Sequence, residues 1–421
     1  MPSPDETDMT RRTVLRVGAG GAIGGLLPGA LSAGAAEGEQ PAASKQAASK
    51  QNVYDVLGVK RIINAAGTIT ALGGSLMPPE VVAAWTEASR HFVDLIELQD
   101  RVGERIAKLL GVEAALVTTG AAGGILVGTA AALTYRDRTL VSRLPLPPEM
   151  GLQVIRQKSH HDCYDHQITA CGVRLVDVET REDLERAIGP RTAMMMAYNY
   201  LEPQGKISRE QWLETARRHK VPTLLDAAAD TPPLDALWKY NKLGYDLVVF
   251  SGGKGLRGPQ NAGLLLGRKD LIEAAKLNTA PRCGNIGRGL KVSKEDMVAM
   301  WAAVERYVHL DHAAQLREWE RRMSVIEEVL RDIPTVKTKR IVPPIANHVP
   351  HLLILWDERR LGVTPAEMKK RLADGDPPIA TARVHGTGEE GFLISVFMLQ
   401  EGEDRIVGER LRGILRQAAK E

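Results

Sequence analysis

Ser251-Gly252-Gly253-Lys254-Gly255-Leu256-Arg257-Gly258-Pro259-Gln260 lies between two apolar runs, Leu247-Val248-Val249-Phe250 and Ala262-Gly263-Leu264-Leu265-Leu266. Short apolar runs bounded by glycine read as strands, so this stretch reads as a tight loop at a sheet edge. Glycines on both sides of Lys254 let the backbone approach a ligand closely and take positive φ. Buried flanking strands would keep the lysine amine partly out of water. Burial disfavours an ammonium, and the neutral amine is the form that attacks an aldehyde. The loop therefore suits a Schiff-base lysine; taken alone, it also suits a solvated surface turn.

Outward from this loop the chain alternates between short apolar runs and helical patterns. Strands are expected at Ala115 to Thr118, Gln153 to Arg156, Arg174 to Val178, Ala193 to Ala197, Pro222 to Leu225, Asp246 to Phe250 and Ala262 to Leu266. Several intervals carry a helix, the clearest from Ser208, a good N-cap, to Lys220. This alternation predicts an α/β fold with a seven-stranded, mainly parallel sheet covered on both faces. Such a sheet collects its ligand at the carboxyl ends of its strands. Upstream, Ile62 to Thr68 reads as a short strand into a turn, followed by helices from Pro79 to about His91 and from about Gln99 to Leu110. Beyond Lys294 a long helical region reaches about Arg331 with a break near Leu310. Strands Val349 to Trp356, Ile379 to Val384 and Phe392 to Phe397, a helix Thr364 to Ala373 and a last helix from Glu403 make a small α+β domain, its three strands expected to be antiparallel. No internal repeat is visible.

Two further strand ends carry chemistry. Thr118-Thr119-Gly120-Ala121-Ala122-Gly123 ends one strand and opens the helix that runs to Leu133. Free N–H groups at a helix start form an anion site, and small residues let a phosphate come near; tight packing of helix on sheet is the alternative. Asp226 follows Val221-Pro222-Thr223-Leu224-Leu225 directly. A carboxylate at the end of a buried strand needs a cationic or donor partner, which a protonated pyridine would be, unless Asp226 only caps the next turn. Ser251 is placed to donate to the same phosphate. Lys254 follows Asp226 by 254 − 226 = 28 residues, on the neighbouring segment of the same sheet edge. These are the parts of a pyridoxal phosphate site: an anion cradle, a carboxylate for the ring nitrogen and a lysine for the aldehyde.

The loop Ser251 to Gly263, the opening Ile63-Asn64-Ala65-Ala66-Gly67-Thr68 and the segment Ala197-Tyr198-Asn199-Tyr200 resemble the selenocysteine synthase-like family of fold-type I pyridoxal phosphate enzymes. That family includes amino sugar acid ammonia-lyases. The resemblance covers roughly Val53 to the C-terminus. It implies that Lys254 is the Schiff-base lysine, Asp226 the pyridinium partner, and Gly120, Ala121 and Ser251 phosphate contacts. His160 or His161 is a candidate to stack on the ring; the preferred choice is His161. Asn199 and Glu202 are candidates near the ring hydroxyl. Fold-type I enzymes often place a carboxylate-binding arginine where Arg383 stands, and a guanidinium binds a carboxylate bidentately. The activity implied is α,β-elimination on a small amino acid or amino sugar acid. An aminotransferase, an epimerase, or a pyridoxal phosphate-binding protein without turnover are the alternatives. A homodimer or larger assembly follows from the same resemblance, with Arg257 to Gln260 near its interface.

Composition narrows the partners. The formal net charge is +3 over 421 residues, with no basic run, and aromatics are only 4%. Nothing there suits a nucleic-acid surface. Selenocysteine synthases carry a helical tRNA-binding region before the Asn-Ala-Gly-Thr turn, whereas here the signal-like segment, the linker and about a dozen residues precede it, so a tRNA substrate is not expected. Cys163, Cys171 and Cys283 have no metal-ligand spacing and read as free thiols, so no metal is expected. Residues 1–35 are different in kind: Thr10-Arg11-Arg12-Thr13-Val14-Leu15-Arg16, a glycine- and alanine-rich apolar run, then Ala33-Gly34-Ala35. This resembles a twin-arginine export signal, which implies an extracytoplasmic enzyme with no stable membrane insertion after cleavage; an uncleaved anchor is the alternative. Residues 36–52 cannot bury a core and read as a linker. The folded enzyme is expected as a large cofactor-binding domain over 53–293 and a long helix with a small domain over 294–421.

Overall fold

The computed structural model describes residues 52–382 and 391–418. Residues 1–35, read as an export signal, nearly all of the segment read as a linker, Arg383 and Val384 lie outside the described residues. Twelve strands are labelled in chain order: β1 (Ile63–Ala65), β2 (Ala114–Thr118), β3 (Gln153–Gln157), β4 (Arg174–Val178), β5 (Thr192–Tyr198), β6 (Thr223–Asp226), β7 (Leu247–Ser251), β8 (Gly263–Gly267), β9 (Lys337–Ile341), β10 (His351–Leu355), β11 (Ile379–Thr381) and β12 (Phe392–Ser395). The main sheet has the order β2-β8-β7-β6-β5-β3-β4. Only β8 runs antiparallel to its neighbours, against β2 and β7. This is the seven-stranded, mainly parallel sheet that the alternation predicted.

Its central strands read as unbroken apolar runs because both faces are covered. Leu224, Leu247 and Leu265 point into one core with the helix Gly120–Thr134, while Leu225, Val248 and Leu266 point into the other with Trp212, Met300 and Tyr307. Burying each such leucine is worth about 2 kcal/mol. The helix Leu95–Leu110 begins one turn before the sequence pattern does, because Asp94 accepts from the N–H groups of Ile96 (2.8 Å) and Glu97 (2.9 Å). The helix Arg209–His219 has the expected Ser208 cap, reinforced by Gln211 in a capping box. The long helical region is two helices, Lys294–His309 and His312–Leu330, separated near Leu310.

The smaller core departs from expectation in its strands. Its antiparallel sheet is β12-β10-β9, and β11 is not in it. Instead β11 pairs in parallel with β1, Asn64 opposite Ala380. Ile63 and Ala65 therefore pack with Ile379 and the helices His312–Leu330 and Glu403–Ala418. The N-terminal segment, read as part of the large domain, thus places β1 in the smaller core. The missed strand, β9, is Lys-Thr-Lys-Arg-Ile and almost wholly exposed. A charged edge strand has no apolar alternation to reveal it, and its lysines discourage edge-to-edge pairing. Among the described residues no helix is long and apolar enough to cross a membrane.

Candidate active site

The strand order explains why distant residues meet. β6 and β7 are neighbours, with Asp226 opposite Val249, so Asp226 and the loop after Ser251 leave the sheet side by side. β8 separates β7 from β2, yet its first residue, Gly263, stands opposite both Ser251 and Thr118. A Cβ on Gly263 would lie 2.5 Å from the backbone carbon of Gly120. Only glycine lets the helix start at Gly120 close down on this edge. The lysine loop is equally tight: Gly252 N–H donates to Ala262 O (2.8 Å), Gly258 N–H to Gly252 O (2.8 Å) and Arg257 N–H to Lys254 O (3.0 Å). A Cβ on Gly255 would sit 1.8 Å from the Thr231 carbonyl oxygen.

Two lobes of one cleft open from this junction, and Lys254, Asp226, Ala228 and Tyr164 line both. The inner lobe, about 540 Å³, is bounded by Thr119, Gly120, Ala121, Ser251, Gln260 and Asn261. The outer lobe, about 420 Å³, runs from Asp162, Tyr200 and Asp230 to the small sheet, where His351, Leu393 and Ser395 close it. Lys254, Asp226, Ser251, Gly120 and Ala121 are thus brought together, as the sequence reading required.

Electrostatics match a site that takes a cation at one point and an anion at another. Asp226 is 7% exposed, and among the described residues the only donor to its carboxylate is Ala228 N–H, 2.8 Å from Oδ1. Burial pushes its carboxyl up to about 6, with the Ala228 N–H and the Lys254 charge opposing. A buried carboxylate with so little compensation is suited to a cationic partner, such as a protonated ring nitrogen. Burial also lowers the Lys254 ammonium, against the pull of Asp226, Asp230 and Asp162. At the helix start, Thr119 Oγ1 is buried without a hydrogen-bond partner among the described residues, and Gly120 has φ +62° with none of them near the place of a Cβ. That is an anion cradle with an unused donor. The residues fit pyridoxal phosphate: Asp226 for the ring nitrogen, Thr119 to Ala121 and Ser251 for the phosphate, Lys254 for the aldehyde.

The histidine expectation needs correction. His161 lies outside both lobes, half exposed, with Nδ1 2.7 Å from Arg156 Nη2 and Nε2 3.2 Å from Asp177 Oδ2. Buried Arg156 requires counter-charges, and it gathers Asp165 and Asp177 with His161 beside them. His160 is buried but outside the lobes as well; Tyr198 N–H donates to its Nδ1 (3.2 Å), and burial, then the Arg156 charge, pushes it down to about 4. The ring that does border both lobes is Tyr164, on the same loop. Its only signal in the sequence was proximity to the histidines.

Asn199 and Glu202 do not line the cleft. Arg209 joins them, donating to Asn199 Oδ1 (2.8 Å) and Glu202 Oε2 (2.9 Å from Nε). Asn199 Nδ2 in turn donates to Asp230 (2.5 Å), and Tyr240 Oη donates to the same carboxylate (2.9 Å). Their effect on the site is to hold Asp230, which lines the outer lobe and whose carboxyl burial pushes up to about 6. Arg257 and Gln260 bind the chain's own N-terminal segment, through Leu76 O and Thr70 O (2.9 Å each).

Comparison with known proteins agrees with this geometry. The family model SelA, L-seryl-tRNA selenium transferase, matches residues 62–349. D-glucosaminate-6-phosphate ammonia lyase of Salmonella typhimurium is 30% identical over 87% of this chain and 99% of its own length. The 5'-C-glycyluridine monooxygenase-decarboxylase of a Streptomyces species is 28% identical over 80% of this chain and 86% of its own. The solved structure of D-glucosaminate-6-phosphate ammonia-lyase superposes with a TM-score of 0.76 at 28% identity, covering 88% of this chain and all of that one.

Proposed function

This chain belongs to the SelA, L-seryl-tRNA selenium transferase, family, and from that premise we propose that it is an ammonia-eliminating enzyme acting through pyridoxal phosphate on a hydroxylated amino acid of the amino sugar acid class. One observation carries the reading. Lys254 borders both lobes, so the amine that reaches a cofactor in the inner lobe also reaches a substrate in the outer one.

When bound, pyridoxal phosphate supplies a ring that absorbs the electron pair left at the substrate Cα. Asp226 keeps the proton on the ring nitrogen, because its buried carboxylate is stabilised by that positive charge. Thr119 to Ala121 and Ser251 hold the phosphate and so fix the ring's register in the cleft. Lys254, whose ammonium form burial disfavours, takes the proton from Cα. Loss of that proton and of the β-hydroxyl as water leaves an unsaturated amine, which water converts to ammonia and a 2-oxo acid. Asp162 and Asp230 make the cleft acidic around the reacting amine and favour an ammonium-bearing substrate. Incubation of the purified holoprotein with D-glucosaminate, or its 6-phosphate, is expected to release ammonia and a 2-oxo acid in equal amounts. A 2-oxo acid formed only with a second oxo acid as acceptor would mean transamination instead, and inversion at Cα would mean epimerisation.

Assembly is part of the same proposal. Apolar side chains are exposed along the N-terminal segment: Leu57, Leu76, Trp85, Val93, Ile96 and a fully exposed Phe92. Through Thr70 and Leu76 this segment touches Gln260 and Arg257 beside the inner lobe. A second copy of the chain covering it would remove that apolar surface from water and close the lobe. Sedimentation is expected to show a dimer or larger assembly; a monomer fully active in dilute solution would contradict this.

A further inference from the structure

The small sheet turns its two faces to different surroundings. Leu352, Ile354, Phe392 and Ile394 pack into the smaller core. In register, His351 stands opposite Ser395 and Leu353 opposite Leu393. Side chains of directly opposed residues share a face, so His351, Ser395 and Leu393 look the other way, onto the outer lobe that they line. Two of the three are polar. Ser395 is fully buried and its Oγ has no hydrogen-bond partner among the described residues.

His351 is 7% exposed, and its Nδ1 is 2.7 Å from Val349 O. A carbonyl oxygen can only accept, so Nδ1 carries the hydrogen. Burial holds the imidazole below its ordinary pKa, and so neutral at neutral pH. In this tautomer Nε2 is an acceptor that receives no hydrogen bond from the described residues, and an acceptor that a ligand takes out of water without giving it a donor costs stability. Among the described residues the charged groups that line the lobe, Lys254, Asp162, Asp226 and Asp230, belong to its other walls. An ammonium would be drawn to those carboxylates. The neutral acceptor beside Ser395 suits a neutral donor, a hydroxyl.

We propose that His351 is a substrate-positioning residue, its Nε2 receiving a hydrogen bond from a hydroxyl on the substrate carbons beyond Cβ. The enzyme thereby prefers polyhydroxylated amino acids to short ones such as serine. This rests on the amino sugar acid reading above for its choice of ligand, but the test does not depend on ammonia release.

The holoprotein is titrated with D-glucosaminate and with serine while its visible absorbance is followed, giving a Kd for each. The ratio of the serine Kd to the glucosaminate Kd is expected to fall about tenfold in His351→Leu, the size of one lost neutral hydrogen bond. His351→Gln, whose amide oxygen reaches toward the place of Nε2, is expected to keep most of the ratio. A ratio unchanged in His351→Leu, an equal loss with Gln and Leu, or no response of the wild-type holoprotein to glucosaminate would overturn the assignment. Ammonia is assayed separately: selective binding through His351 without ammonia release would refute the lyase reading and leave this one standing.

Discussion

Asp226→Asn should bind pyridoxal phosphate much as the wild type does and yet turn over substrate roughly a thousandfold more slowly, or worse. Asparagine keeps the shape of the side chain and an oxygen for the Ala228 N–H, so the floor of the cleft is preserved. What disappears is the negative charge that favours a proton on the ring nitrogen. Each unit by which that nitrogen's pKa falls is worth about 1.4 kcal/mol. A fall of about three units therefore withdraws roughly 4 kcal/mol from the charge developing at Cα, which is about a thousandfold in rate. Binding and chemistry should separate. If Asp226 merely capped the turn through Ala228, asparagine would do nearly as well and the rate would hardly change. Near-wild-type turnover at matched cofactor occupancy would rule out the role and move attention to Asp230, the other buried carboxylate of the cleft.

Lys254→Arg should be as inactive as Lys254→Ala. Losing a positioned proton-transfer group costs on the order of a hundred- to ten-thousandfold. The arginine variant separates two roles. Lys254 stands among Asp226, Asp230 and Asp162, and a purely electrostatic account would have it balance their charge. Arginine also balances charge, but it cannot give up its proton and so cannot act as a base or bond to an aldehyde. Substantial activity in Lys254→Arg would show that the residue is only a counter-ion.

Much of the large sheet was legible because its central strands are short apolar runs bounded by turn residues and covered on both faces. The pairing of β1 with β11 was not: three residues at each end of the chain carry no local sign of a partner more than 300 positions away. β9 was hidden by the opposite cause, a sequence made polar by its exposed edge position. At the site, glycine and small residues marked Gly120, Ala121 and the Lys254 loop, since close approach demands them. The choice of His161 as the stacking residue went astray because it turned on Arg156. A buried guanidinium assembles its counter-charges in three dimensions, and Asp165 and Asp177 stand on the helix and the strand that follow it. Asn199 and Glu202 were read near the cofactor, whereas a bridge through Arg209 commits them to holding Asp230. His351 gave no signal, because its strand, His-Leu-Leu-Ile-Leu, is buried on both faces and nothing in it marks the face that borders a cleft.

The claim on which the rest depends is that Lys254 carries the cofactor. Borohydride reduction of the purified yellow holoprotein, followed by proteolysis and mass spectrometry, tests it directly. The account predicts loss of the visible absorbance band and a single pyridoxyl phosphate label, on the peptide containing Lys254; label on a different lysine, or none, would contradict it.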